Sequence, residues 1–412
     1  MCFVAVIASF CSLLYGQSTF PGVSDRTADF HTFVDDFERD YAFLDQPEKP
    51  WLTWETRYRA AVEDASTLRA FDTVLAAALS ELHDFHAEVR SPVPDRWLPV
   101  PTFADLWAQF EGPKAVVTAV RRGSDAERAG IRVGEVISTV DGIPLPQAIN
   151  DRLTPAVNQT DIKAREWALL SILTGRADES RRFGVVDRTG QARTVDLPVE
   201  RSFDRGSGAL TMRVLAGKIG YIRLNNSLGE QSTVAAFDRA ILELRSTRAL
   251  VLDLRDTPSG GDSSVALGIL GRFTTTLAPY QRHRIPHYRQ ADVERNWVEM
   301  AAPRGPFPYM APMVVLVDHW TGSMGEGIAI GLDAMQRAMV VGTPMAHLAG
   351  AVSDDKLPHT RADVAYATEQ IFHVNGTPRH EWVPPVLVRD PGRTADEDPI
   401  LERGLRLLAE PR

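Results

Sequence analysis

The chain has 412 residues, and 45 Lys+Arg against 54 Asp+Glu leave a formal charge of −9. At 44% hydrophobic and 24% charged it has ordinary globular usage, which excludes a disordered chain and a polytopic membrane protein. The mild acidity argues against a nucleic-acid binder, and about 150 residues per domain leaves room for two to three domains. Only five of the basic residues are lysines: Lys49, Lys114, Lys163, Lys218 and Lys356. The two cysteines, Cys2 and Cys11, lie in the first dozen residues, so from Gln17 onward disulfides, thiol nucleophiles and cysteine-ligated metals are excluded together. Residues Cys2 to Tyr15 are apolar or small, and Gly16 and Ser18 follow at the spacing of a cleavage site. The run is too short to span a bilayer but suits a signal-peptide core, so 1–18 is expected to direct export to a periplasmic or extracellular location. No Lys or Arg precedes the run, which keeps a buried N-terminal helix as the alternative; membrane contact would come only through this segment left uncleaved.

Residues 19–95 read as helical. Phe30, Phe33, Val34 and Phe37 form one apolar face, and Val74, Ala78, Leu79 and Leu82 lead into Leu82-His83-Asp84-Phe85-His86. The stretch Ser91-Pro92-Val93-Pro94 reads as a linker. Over 96–205 the texture turns to strands: Ala115–Val120, then a short helix in Ser124–Ile131, then Glu135–Val140 ending at Asp141-Gly142, and a closing hairpin from Arg181 to Leu197. Over 206–398 strands and helices alternate. The apolar strands are Ile219–Leu224, Ala249–Leu254, Met313–Val317 and Met339–Val341; the helices are Thr233–Leu244, Ser264–Phe273 and Glu326–Arg337. That alternation predicts an α/β domain with a parallel sheet covered on both faces, and 399–412 reads as a C-terminal tail.

Chemistry is expected beyond the carboxyl ends of two of these strands. After Met313–Val317 comes Thr321-Gly322-Ser323-Met324-Gly325-Glu326, which puts Ser323 between glycines at a helix N-terminus, where backbone N–H groups favour negative charge. A lone serine there would read simply as an N-cap. After Ala249–Leu254 comes Arg255-Asp256-Thr257-Pro258-Ser259-Gly260-Gly261, a Gly-Gly turn able to aim an N–H into the same crevice.

The series of strand, Gly-Ser, short helix ending Ala-Gly-Ile, and strand ending Asp-Gly in 96–205 resembles a PDZ domain, although Phe103 to Phe110, where such domains carry a Gly-rich carboxylate loop, contains no glycine. The order of helical segment, PDZ-like unit and α/β domain, with Asp253-Leu254-Arg255 leading to Gly260-Gly261 and with Gly322-Ser323-Met324-Gly325-Glu326, resembles the tail-specific (C-terminal-processing) and tricorn-like serine peptidases. The resemblance implies a crotonase/ClpP-like α/β catalytic domain, no cofactor and a polypeptide substrate. It also implies an oxyanion hole from the N–H groups of Met324 and of Gly260 or Gly261.

The family divides by general base. The dyad branch carries a lysine about 25 residues after the serine, and that place falls on Leu348; Lys356, the only lysine beyond Lys218, is the runner-up as a displaced base. The tricorn-like branch takes a histidine from a Leu-x-x-x-His sequence, which Leu82 to His86 matches. His86 is therefore the expected base, with an acidic limb of activity near pH 6–6.5 from an ordinary imidazole. His83 and His86 as a metal pair on a helix, and His86 as a structural histidine, are the competing readings. The branch's glutamate precedes Val-x-Pro; Glu381 holds that place, with Trp382 where the family has glycine, and Glu326 is the runner-up acid. A peptide-binding scaffold without activity is the alternative function, given Leu348 and the altered turn Asp256–Ser259.

Overall fold

The computed structural model describes residues 20–46, 49–94, 96–154, 160–203, 206–287, 293–389 and 397–410; the expected signal segment 1–18 lies outside them. Among the described residues no helix is long and apolar enough to cross a membrane.

Three helices open the chain: α1 (Val23–Asp40), α2 (Trp54–Asp64) and α3 (Leu68–Ser80). Their apolar faces close on an aromatic core, with Phe33 stacked on Trp54 at 5.5 Å and Phe37 on Tyr41 at 4.5 Å. The helix α3 ends at Ser80, so His83 and His86 sit in the turns that follow and not on a helix. A two-residue strand β1 (Glu88–Val89) comes next.

The β-rich unit comprises β2 (Leu106–Glu111), β3 (Lys114–Val120), α4 (Asp125–Arg128), β4 (Val136–Val140), β5 (Ile143–Pro144), α5 (Leu145–Arg152), α6 (Ile162–Thr174), β6 (Arg181–Val186) and β7 (Ala192–Leu197). Its sheet runs β2-β3-β4-β6-β7 with β5 on β4, all antiparallel, around a core of its own that includes Val117, Ile137, Trp167 and Phe183. The strands, short helix and closing hairpin fall where the alternation put them.

The remaining elements are β8 (Leu210–Leu215), β9 (Ile219–Leu224), α7 (Ser232–Glu243), β10 (Ala249–Asp253), α8 (Ser263–Leu270), β11 (Ala278–Ile285), β12 (Arg295–Ala301), β13 (Met313–Val317), α9 (Met324–Ala334), β14 (Met339–Gly342), β15 (Ala351–Lys356), β16 (Asp363–Phe372), β17 (Val386–Leu387) and α10 (Pro399–Ala409). Strands β9, β10, β13, β14 and β17 are parallel, with β8 antiparallel at one edge. The strands β10 and β13 are buried at every residue, as a sheet covered on both faces requires. Residues from α7, α8 and α9 cover one face. The other is covered by Ile400, Leu407 and Leu408, so the expected tail is in fact a helix that completes the core.

A second sheet was not legible in the sequence. It runs β1-β16-β11-β12 with β15 on β16. Its strand β16 pairs with β1 (Glu88 opposite Ala365), and Val364, Tyr366 and Ala367 enter the core of α1–α3. The N-terminal helices are thereby fastened to the unit that holds the parallel sheet. The expected linker is part of that joint: Ser91 is 3% exposed, its hydroxyl accepting from Asp363 N at 2.9 Å and bonding Asp72 at 3.1 Å. Asp29 of α1, fully buried, accepts from Thr360 N and Thr360 Oγ1, both at 2.6 Å, and from His359 N at 3.1 Å.

Removing a buried acceptor strands its donors at a cost of about 1–3 kcal/mol or more. Asp29→Ala should therefore lower stability by about 2–4 kcal/mol. Urea unfolding of the two proteins measures it, and a midpoint unchanged from wild type would show that this joint carries no stability.

Candidate active site

Three loops leave the carboxyl ends of β10, β13 and β14 and are laced together by their backbones. Gly322 N donates to Thr257 O at 3.2 Å and Ala346 N to Thr321 O at 3.0 Å. Thr257 and Thr321 form a parallel bridge, and both hydroxyls donate to Leu254 O, at 2.8 and 3.1 Å. Ser323 stands at the middle of this lacing, as N-cap of α9, with φ 48° and ψ −109°. A non-glycine residue in that region is strained and persists only where its surroundings impose it. The same backbone in a strand-turn-helix elbow presents a nucleophile at the crest of a sheet.

The Gly-Gly turn closes on the serine. A Cβ placed on Gly260 would lie 2.4 Å from Ser323 Cβ and 3.1 Å from Met324 N, and one on Gly261 would lie 2.1 Å from the backbone of Leu228. Both positions therefore admit only glycine. The amide of Gly260 is taken up within the turn, donating to Thr257 O at 3.1 Å. Of the two glycines expected to supply an oxyanion donor, that leaves Gly261 beside Met324. At a helix start the Met324 N–H has no carbonyl of its own helix to meet.

Glu326, expected as capping carboxylate or runner-up acid, is fully buried and behaves as the former. Its Oε2 accepts from Ser323 N at 2.8 Å and its Oε1 from His347 N at 2.9 Å, with Leu348 N as a further donor. Burial still pushes it up to about 7 against those bonds and the charge of Arg379, 3.9 Å away. The side chain of Leu348 reaches within 3.4 Å of a Cβ position on Gly322, so an apolar group fills the place beside the elbow where the dyad branch has its lysine. Lys356 is exposed at the opposite end of β15, in register with Asp363.

His86 is delivered by the β1–β16 pairing to the chain just beyond Leu348. Its Nδ1 bonds Ala349 O at 2.8 Å, and its own N–H donates to Asp84 Oδ1 at 2.9 Å. Arg379 faces the same stretch, donating to Leu348 O at 3.0 Å and to Gly350 O. Burial and, next, the Arg379 charge hold the His86 imidazole down at about 3. His83 points elsewhere, against Trp167 with rings 5.5 Å apart. Glu381 is not brought to His86: its side chain is 66% exposed and lies 3.9 Å from His380 Nε2.

One residue escaped the sequence reading. His347 shares the Glu326 carboxylate with Ser323, and its Nδ1 bonds His380 O at 2.5 Å, fixing a tautomer with Nε2 as the acceptor. It was hidden because the family pattern draws attention to the next position, and because φ 59° at His347 redirects the chain there. The β-rich unit abuts the same loops. Trp107 stacks on His319 at 4.7 Å, Trp320 Nε1 donates to Ala104 O at 2.8 Å, and Arg121 and Arg223 bind Asp256 at 3.0 and 2.7 Å.

Residues 218–385 match the model of peptidase family S41. The fold is similar to that of mature CPAF (14% identity, TM-score 0.61, 94% of this chain and 96% of that one). It is similar also to the photosystem II D1 C-terminal processing protease (20% identity, TM-score 0.57, 93% and 97%). A putative peptidase from Parabacteroides merdae shares it at 14% identity, TM-score 0.57, covering 95% and 98%.

Burial holds His86 and His319 at about 3 and His380 at about 4. Unfolded imidazoles titrate near 6.5, so in the window from about 6.5 down to about 4 the unfolded chain binds more protons at these three sites and their contribution to stability falls as the pH falls. Each such imidazole contributes on the order of 1 kcal/mol per pH unit within it. Glu326, Asp72 and Asp84, which burial holds up at about 7, 7 and 6, pull the other way over the same range, so the imidazole share is read as a difference. The urea midpoint of His319→Gln should fall less, or rise more, between pH 7 and 4.5 than that of wild type; an unchanged pH dependence would contradict neutral burial of that ring.

Proposed function

The chain carries a serine-type peptidase domain of family S41, and from that premise we propose that it is an exported endopeptidase that cleaves polypeptides through an acyl-enzyme on Ser323. The observation that carries this reading is the strained Ser323 elbow closed over by the Gly260-Gly261 turn. Ser323 Oγ attacks the scissile carbonyl and His86 takes its proton, then returns it to the leaving amine. The N–H groups of Met324 and Gly261 meet the oxyanion. Ala349 O holds the Nδ1 proton of His86 and so sets the ring's tautomer. Glu381, at the rim of the cleft, completes a Ser-His-Glu triad when the imidazolium forms. In the geometry described it stands beside His380, so its support requires the rim to move or a water to bridge.

His347 is the second candidate base, on the strength of the carboxylate it shares with Ser323. Single-turnover cleavage of a fluorogenic casein separates the roles. Ser323→Ala should lose at least about 10³-fold in rate and all labelling by a fluorophosphonate, and His86→Ala should lose about as much. His347→Ala should lose less than tenfold, and Glu381→Gln about 10–10³-fold. Full loss in His347→Ala with activity kept in His86→Ala would transfer the base to His347. A folded wild-type protein that neither cleaves nor labels would be the peptide-binding scaffold instead.

An imidazole held at about 3 remains a free base across the neutral range. The acidic limb of kcat/KM is therefore expected below pH 5, not at the pH 6–6.5 of an ordinary histidine. Measured profiles decide this, and a limb at 6–6.5 would mean that His86 is far less desolvated in solution. Export is read from 1–18 alone; N-terminal sequencing of secreted protein beginning after Ser18 would establish it.

A further inference from the structure

A cavity of about 410 Å³ lies between α3, residues 93–94 and 96–100, and side chains of α5 and α6; its lining includes Asp84, Phe85 and Ala87 next to His86 but not Ser323. That size suits a small organic ligand. Its wall mixes aliphatic and polar side chains with three aromatic rings, Phe85, Trp97 and Trp167, and Arg152 stands among these rings. The Arg152 guanidinium lies 4.5 Å from the ring centre of Trp97 and 4.1 Å from that of Trp167, and its Nε donates to Ser171 Oγ at 2.9 Å. Among the described residues neither Nη has a hydrogen bond and no carboxylate pairs with it. Arg176 approaches the same Trp97 ring at 5.2 Å, so two like charges converge there. Burial and that neighbour bring the Arg152 pKa down to about 9.

Four acidic side chains also border the cavity: Asp72, Asp84, Glu88 and Asp151. Glu88 is paired with Arg90 at 2.9 Å. Burial pushes Asp72 up to about 7 and Asp84 up to about 6, so both carry less than full charge near neutrality. Of the two cations against the tryptophan rings, Arg176 lies 3.6 Å from Glu179, and Arg152 is the one with no acid partner among the described residues. Trp167 Nε1 is a second donor in this wall with no acceptor.

We propose that this cavity binds an apolar monocarboxylate, its anion on the free Nη edge of Arg152 and its apolar body against Trp97, Trp167 and Phe85. A guanidinium whose faces are covered by tryptophans keeps its N–H edge for a planar bidentate acceptor. An anion would also relieve the repulsion between Arg152 and Arg176. Such a ligand is either a free acid or the carboxyl end of a peptide with an apolar last residue.

The test uses the full chain as Ser323→Ala, so that no probe is turned over and the result does not depend on the peptidase reading. Calorimetry and tryptophan emission follow titration with 4-phenylbutyrate against 4-phenylbutanol, and with acetyl-Gly-Leu against its C-terminal amide. Each acid that binds should do so at least tenfold more tightly than its neutral partner, about 1.4 kcal/mol. Arg152→Gln should erase that preference and Arg152→Lys should keep part of it, with circular dichroism checking the fold of both. Preference confined to 4-phenylbutyrate identifies a free acid as the ligand, and preference shared by the peptide identifies a chain end. Acid and neutral probes binding alike, or no acid binding up to about 10 mM, would overturn the proposal. If Arg152→Gln fails to fold, the preference surviving unchanged in Arg152→Lys and in Ser171→Ala together would overturn the guanidinium's role.

Discussion

The site depends on one buried carboxylate. Glu326 has no exposed surface, so every lone pair it carries must find a donor inside the protein or be paid for in desolvation. The donors it finds are the backbone N–H groups of Ser323, His347 and Leu348, with the Arg379 guanidinium behind them. Two of those N–H groups belong to a loop 21 residues further along the chain than Glu326 itself. The carboxylate therefore fixes the distance between the elbow and the 347–350 segment. A glutamate in the first turn of a helix is ordinary; one that also binds a second loop makes the helix start a joint. That role also removes it from contention as a triad acid, because its oxygens are already engaged.

The same economy explains how a histidine more than two hundred residues before the serine is brought to the 347–350 segment that Glu326 ties to the elbow. The β1 strand is only two residues long, and a pairing so short would not hold alone. It holds because β16 serves three neighbours at once, β1, β11 and β15, while its other face enters the aromatic core of α1–α3. The position of His86 thus rests on hydrophobic burial far from the chemistry. Asp29 and Ser91 add polar ties at the same seam. On the opposite side, Asp256 lies one residue before the Thr257–Gly261 turn and is gripped by Arg121 of the β-rich unit. The catalytic loops are held between the two flanking units.

How much of this was legible in the sequence follows from the range of the interactions involved. The parallel strands announced themselves because a strand buried on both faces is a continuous apolar run, and the β-rich unit did so through alternation and Asp-Gly or Thr-Gly turns. Ser323 and the Gly-Gly turn were legible from spacing. The second sheet was not. Its strand β11 contains Gln281, Arg282, His283 and Arg284, and the polarity hides a buried network in which His283 bonds Glu299 at 2.8 Å and Glu369 at 2.9 Å. Polar residues that satisfy one another across strands look like a loop until the partners are known. The helix α10 was missed for a different reason. Its apolar positions, Ile400, Leu401, Leu405, Leu407 and Leu408, do fall on one helical face, but only the sheet beneath them shows what that face covers. His347 was missed because its function-bearing geometry lies in a positive φ that composition does not encode.

The lysine scarcity and the fate of Leu348 bear on what sort of base this elbow can use. A lysine beside the serine would need its ammonium deprotonated, and a dry, apolar niche lowers an amine's pKa for that purpose. Here the niche persists, but leucine fills it. Dryness that would help a lysine works differently on histidine: it makes the ring neutral at rest, and it also makes the imidazolium of the transition state expensive. A nearby Arg379 charge adds to that cost. Ala349 O offsets part of it through the Nδ1 proton, but a carbonyl dipole supports positive charge less well than a carboxylate. Asp84 is spent on the backbone N–H of His86, so a carboxylate on the ring itself is what the described geometry lacks; in the proposed triad, Glu381, exposed beside His380, is the one whose arrival would supply it. A polypeptide drawn across that rim displaces water from the same surface, which strengthens any carboxylate–imidazolium attraction that forms there. Substrate binding and completion of the triad would then be one event, and the resting enzyme would be a poor nucleophile by construction.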